Sequence, residues 1–174
     1  PAENEKAFTE DGYFRTGDAG RMEGNTLFFT ERIKDLYKTS NGKYIAPQAI
    51  EMVMSGDQYI EQIAVIGDQR KFVSALIVPA YSLLEKYAEE KGLAVGSREE
   101  LVRNKEVLRL IETHIEENQK NLASYEKIKR FTLLSEPFTM GSELTDTLKL
   151  RRSVILKKYA DSIEKMYEEA SNPS

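Results

Sequence analysis

The run Phe72-Val-Ser-Ala-Leu-Ile-Val78 constrains this chain more than any other stretch. It is apolar at odd and even positions alike. A strand built from it has no face to give to water, so it must lie centrally in a sheet covered on both sides. A second strand-like run, Ile60–Ile66, precedes it across Gly67-Asp68-Gln69, the pattern of a hairpin. Around this pair the periodicity turns helical. Pro47 suits the first turn of a helix running to about Ser55, which Gly56-Asp57 ends. Residues 81–91 form a helix stopped by Gly92, and residues 105–122 place Leu108, Ile111, Ile115 and Leu122 at helical spacing. Residues 151–168 read as one closing amphipathic helix carrying Ile155, Tyr159, Ile163 and Met166.

Shorter pieces complete the pattern. Residues 26–30 and 33–37 read as strands, 131–134 as a short edge strand, and 125–129 as a helical turn. Residues 93–103 hold a loop with a short helix from Ser97, and 137–147 are a loop. Strands mixed with helices give an α+β (mixed α/β) domain, and the piece before residues 32–34 belongs to a different structural unit.

With 40% hydrophobic and 31% charged residues among 174, the chain has the balance of a soluble globular protein. Such a length buries a core without disulfides. Cysteine is absent, which excludes disulfides, thiolate metal sites and cysteine nucleophiles. His114 is the only histidine, so neither a metal centre of nitrogen and sulfur ligands nor a Ser–His–Asp triad is expected. A net charge of -4 argues against general nucleic-acid binding, which needs clustered Lys and Arg. No apolar run approaches the roughly 20 residues that span a bilayer, and the N-terminus lacks a signal-peptide pattern. These features place the chain in the cytoplasm, with peripheral membrane contact left open.

Four places could carry chemistry. Asp18 follows a Thr-Gly turn, and a carboxylate can accept from two neighbouring hydroxyls at once, as the ribose of a nucleotide requires. Taken alone, Thr16-Gly17-Asp18 is better read as a turn aspartate that caps its own backbone. Arg32 lies past a hairpin-like return that could bring its planar donors beside Asp18. Lys149 follows an irregular segment, where a compact cation on a long stem can reach a substrate; alone, it is one of several basic residues on a solvated face with Arg151, Arg152, Lys157 and Lys158. The loop Lys38-Thr-Ser-Asn-Gly-Lys43 contains Asn41 and Gly42 but is not a phosphate loop of the GxxxxGK[ST] type.

Several motifs then coincide in order: Asp11-Gly-Tyr-Phe-Arg-Thr-Gly-Asp18, Leu27-Phe-Phe, Glu31-Arg-Ile-Lys-Asp-Leu-Tyr-Lys38, Thr39-Ser-Asn-Gly-Lys-Tyr-Ile-Ala-Pro47, Ile50-Glu51 and Leu144-Thr-Asp-Thr-Leu-Lys-Leu-Arg-Arg152. Together they resemble the adenylate-forming (AMP-binding) superfamily, and within it the long-chain fatty acid–CoA ligases. The resemblance covers nearly the whole chain from Asp11. It implies that residues 33–174 form the small C-terminal lid domain, with a short hairpin and a three-stranded sheet packed by helices. Residues 1–32 would be a remnant of the large N-terminal domain. Asp18 and Arg32 would contact the ribose of ATP, Lys34 would be the hinge, and Lys149 would bridge carboxylate and α-phosphate during adenylation. Asn41 and Gly42 would line the channel for CoA in the second step.

Three departures from the family pattern stand out: Glu31 where a glycine usually precedes the arginine, Asn41 at a position often glycine, and Asp146 in place of a common proline. The phosphate loop, the acyl pocket and the magnesium-holding carboxylate of such enzymes are not in this sequence. The resemblance therefore implies ATP, CoA and Mg2+ for the full-length enzyme, a fatty acid substrate, a missing N-terminal domain as partner, and no metal ligands or turnover in this piece alone. Two other readings remain open here: a fatty acyl-AMP ligase delivering to a carrier protein, and a free-standing interaction domain whose basic face, residues 149–158, binds an acidic partner or a membrane surface.

Overall fold

A computed structural model describes residues 7–32 and 35–169, with backbone only for Ala19, Arg21 and residues 28–32. The first unit is a hairpin of β1 (Asp18–Glu23) and β2 (Thr26–Arg32), antiparallel around Gly24. β1 lacks both alternation and β-branched residues, and its strand character comes from pairing with the aromatic-rich β2. Next comes a miniature ladder, β3 (Tyr37–Lys38) with β4 (Tyr44–Ile45). The strand expected at 33–37 shrinks to Tyr37: Asp35 and Leu36 lie outside any strand, while Ile33 and Lys34 lie outside the described residues.

β4 leads into α1 (Pro47–Ser55), with proline in its first turn as the sequence predicts. β5 (Ile60–Ile66) and β6 (Val73–Pro79) then form the expected antiparallel hairpin. Every residue of β6 is buried, because β6 is the middle strand of a three-stranded sheet in the order β5-β6-β7. Gly67 stands where the hairpin turns over Ile45: a Cβ there would sit 2.9 Å from Ile45 Cδ1.

Helices α2 (Tyr81–Glu90), α3 (Arg98–Leu101) and α4 (Lys105–Asn118) make the crossover to β7 (Ile128–Leu133), which pairs parallel with β6. A parallel partner needs such a long connection. Ser97 caps α3 and Asn104 caps α4, each side chain accepting from backbone N–H groups of the first turn. α4 ends four residues earlier than its apolar spacing predicts. The buried Gln119 explains this: its amide turns away to accept from Ile128 N–H at 2.8 Å and donate to Ile128 C=O at 3.2 Å.

The closing helix is also shorter than expected. It divides into α5 (Arg152–Lys158) and α6 (Ala160–Glu169), with Tyr159 between them at φ -105° and ψ 21°. Lys158 and Tyr159 both reach the carboxylate of Glu143 from this break. α1 packs on β5 and α6 on β7, and the core gathers Ile50, Met54, Leu76, Leu84, Ile111, Ile155 and Ile163 between sheet and helices. Among the described residues, no helix is long and apolar enough to cross a membrane.

Candidate functional site

The hairpin brings Asp18 and Arg32 together. They are direct cross-strand partners in the β1–β2 register, next to a bulge between Ala19 and Gly20. Residues directly opposite on an antiparallel ladder have Cβ atoms about 4.5–5.5 Å apart. The backbones of Asp18 and Arg32 thus meet at the open end of one ladder. The Asp18 carboxylate is exposed, and its own N–H is held by Thr16 Oγ1 at 3.3 Å. The Arg32 side chain lies outside the described residues, as does the whole of Lys34.

The Asn41–Gly42 loop is the turn between β3 and β4. Thr39, buried and hydrogen-bonded to both N–H and C=O of Lys43, closes its base. Gly42 sits at φ +80°, a conformation that favours glycine. The loop docks on the β5–β6 turn: Ser40 N–H donates to Arg70 C=O at 2.9 Å, and Gln69 N–H to Lys38 C=O at 2.9 Å. Asn41 Nδ2 lies 3.5 Å from Lys71 C=O. A cavity of about 740 Å³ opens beside it, lined by Ser40, Arg70, Lys71, Lys129, Arg130 and Tyr167 among others. Its floor is basic, a feature visible only once β7 lies beside the β5–β6 turn.

Lys149 rides on a hydrogen-bonded turn and not on a loose loop. Leu148 N–H donates to Thr145 C=O at 2.9 Å, Thr145 N–H to Lys149 C=O at 2.8 Å, and Lys149 N–H to Thr145 Oγ1 at 3.1 Å. Asp146 is the second residue of this four-residue turn, the position that favours proline. An aspartate therefore preserves the turn that the family proline would stiffen. Leu148 adopts φ +61°, a left-handed conformation uncommon without glycine. The Lys149 side chain is exposed and makes no hydrogen bond or ion pair with any described residue.

The basic run around it is not a uniform solvated face. Arg151 donates to the carbonyls of Gly141 and Ser142. Arg152 grips Glu51 of α1 with both terminal nitrogens, at 2.7 and 3.2 Å, and also reaches Tyr37 OH at 3.3 Å. Lys158 is paired with Glu143. Of this run, Lys149 is left presenting its charge outward, together with Lys157. The Arg152 clamp fastens the start of α5 to α1 and β3, so the turn bearing Lys149 and the strand leading into the Asn41 loop belong to one packed body.

His114, which nothing in the spacing pairs, contacts Asp57 through Nδ1 at 2.7 Å and stacks edge-on against Tyr59. Asn118 donates to the same carboxylate at 2.9 Å. Burial works against charge on Asp57, but the Tyr59 N–H, Asn118 and His114 outweigh it and hold the carboxyl below its ordinary range. This cluster seals the end of α1 against α4. Among the described residues no group of three or more His, Cys, Asp or Glu is arranged to hold a metal ion.

Residues 34–171 match the AMP-binding enzyme C-terminal domain family. The chain belongs to that family. Mouse long-chain-fatty-acid–CoA ligase 5 is 34% identical over 173 residues, covering 97% of this chain and 25% of the mouse protein. Long-chain-fatty-acid–CoA ligase FadD15 of Mycobacterium tuberculosis is 32% identical over 170 residues, covering 94% of this chain and 28% of its own length. This AMP-binding C-terminal domain therefore spans about a quarter of the curated relatives it matches. Among solved structures, the adenylation domain of a carboxylate reductase from Mycobacterium chelonae superposes with a TM-score of 0.73 at 28% identity, over 97% of this chain and 25% of that one.

Proposed function

We propose that this chain is the ribose-holding end and lid of an ATP-dependent long-chain fatty acid–CoA ligase. Residues 1–32 belong to the large N-terminal domain and 33–174 to the lid; the family match, which begins at residue 34, supports that boundary. The observation that carries the reading is an unpartnered Lys149 ammonium presented on a fixed turn. The names of the relatives support the substrate class.

In the first half-reaction a fatty carboxylate oxygen attacks the α-phosphorus of ATP. A new P–O bond forms, the bond to the bridging oxygen breaks, and pyrophosphate leaves. Lys149 offers a preorganised cation to the charge shared by carboxylate and α-phosphate. Asp18 accepts from the ribose hydroxyls while Arg32, opposite it, donates to the ribose. The lid then turns about Lys34, withdraws Lys149 and presents the Asn41–Gly42 loop, a hinge-type switch. CoA thiolate attacks the acyl carbon and AMP leaves. Neutralisation of phosphate charge would come from Mg2+ in the full-length enzyme, held by a carboxylate outside this sequence.

In the full-length enzyme Lys149→Ala should abolish acyl-adenylate formation while largely sparing thioester formation from supplied acyl-adenylate. Equal loss of both half-reactions would sink the assignment. A ligase that hands its acyl group to a carrier protein differs only in the acceptor, and failure of free CoA to release AMP from the adenylate would select it. The free-standing basic module is less well supported, because Arg151, Arg152 and Lys158 are engaged within the fold.

A further inference from the structure

Glu143 is the one charged side chain, among the described residues, that is fully withdrawn from water. Its carboxylate accepts from Thr139 N–H at 3.1 Å, Thr139 Oγ1 at 3.4 Å and Tyr159 OH at 3.1 Å, and it is paired with Lys158. Its backbone works as well: Glu143 C=O accepts from Arg151 N–H at 2.7 Å. The segment 144–150 thus leaves and returns at a single residue, and Leu144 bridges to Leu150 across its neck. Lys149 lies inside that closed segment, directly after the left-handed Leu148.

A buried carboxylate is a poor way to gain stability alone, because its own desolvation cancels much of the attraction to its cation. An apolar residue would fill this space at less cost. What the charge does supply is a fixed junction between the 139–151 segment and the break between α5 and α6. We infer that Glu143 is a positioning residue for Lys149: it locks the lysine-bearing turn onto the helical body so that the ammonium is delivered at one place and angle. This rests on the assignment of Lys149 to adenylation. Glu143 lies six residues from Lys149, and no motif in the sequence marks it.

The test uses the full-length protein with Glu143→Gln, Lys158→Met and Lys149→Ala, each followed through ATP–pyrophosphate exchange and through thioester formation from supplied acyl-adenylate. Misplacement of a reacting group by about 1 Å costs on the order of 100-fold. Glu143→Gln should lower kcat of adenylate formation by about 10- to 100-fold with KM for ATP little changed, and leave the thioester step within about threefold. Lys158→Met, which keeps the carboxylate and removes its cation, should show the same selectivity to a smaller degree. On a Lys149→Ala background, Glu143→Gln should lower whatever residual adenylation is measurable no further, since both act through one ammonium. Amide exchange at residues 145–149 should quicken in Glu143→Gln while the sheet stays protected.

Equal loss in both half-reactions, or full additivity with Lys149→Ala, would reduce Glu143 to a structural role and overturn the inference. So would unchanged adenylation in a well-folded Glu143→Gln. If Lys149→Ala is itself unselective, the ligase reading fails first, which separates the two failures. Should Glu143→Gln not fold, Lys158→Met carries the same test.

Discussion

Leu148 and Asp146 show how single side chains shape the candidate site. Leu148 holds a left-handed backbone without glycine's freedom, a local strain that the closed segment around it sustains. Asp146 occupies the turn position where proline is pre-set for the required φ, and its N–H donates to no other described residue. Asp146→Pro should therefore stabilise the protein by about 0.4–1 kcal/mol, by restricting the unfolded chain. A thermal melt showing a lower Tm for the proline variant would mean that the Asp146 backbone is not turn-like. The turn itself could not be read from the sequence, because Thr145-Asp-Thr-Leu148 carries neither glycine nor proline.

Element boundaries depended on polar side chains that compete with regular structure. Helical spacing extends past Asn118 to Leu122, yet α4 stops once Gln119 turns its amide to the β7 backbone. Gln62 does the same for the loop after Pro137, accepting from Phe138 N–H at 2.7 Å and donating to its C=O at 3.2 Å. Each amide substitutes for a strand neighbour. Gln119→Ala should destabilise the protein by about 1–3 kcal/mol, because it leaves Ile128 N–H and C=O buried without partners. Urea unfolding would measure it, and a change within about 0.5 kcal/mol would show that the edge of the sheet does not depend on this contact. The break at Tyr159 has the same origin. Ile155, Tyr159, Ile163 and Met166 keep one periodic stripe across both helices, so periodicity cannot reveal a kink imposed by Glu143.

For the molecule as a whole, the buried Glu143 sets a definite acid response. Burial alone would raise its pKa, but the Lys158 ammonium and the Thr139 N–H outweigh that and hold it at about 2. A carboxyl depressed on folding adds stability that is fully present above its unfolded value, near 4.5, and is lost as pH falls toward 2. Lys158 is raised in parallel by the same bond. Stability measured from pH 6 down to pH 2 should therefore fall more steeply in the native protein than in Glu143→Gln. Parallel curves would remove Glu143 from the acid transition. The Asp57 carboxyl, depressed by Tyr59, Asn118 and His114, contributes in the same direction and persists in the variant.

The sequence by itself determined the central strand, its hairpin partner, the start of α1 and the ordered motifs that point to the family. Apolar runs, proline at a helix start and short motifs are local, so one strand or turn is enough to express them. Only the tertiary structure decided that Asp18 pairs with Arg32 on one ladder, that β7 runs parallel beside β6, and that Arg151, Arg152 and Lys158 are bonded within the fold. It also decided the place of Glu143, whose partners are Thr139 on its own segment and Lys158 and Tyr159 at the break between α5 and α6. The physical reason is that a charge buried from water must find partners through space, and spacing along the chain does not record where they are.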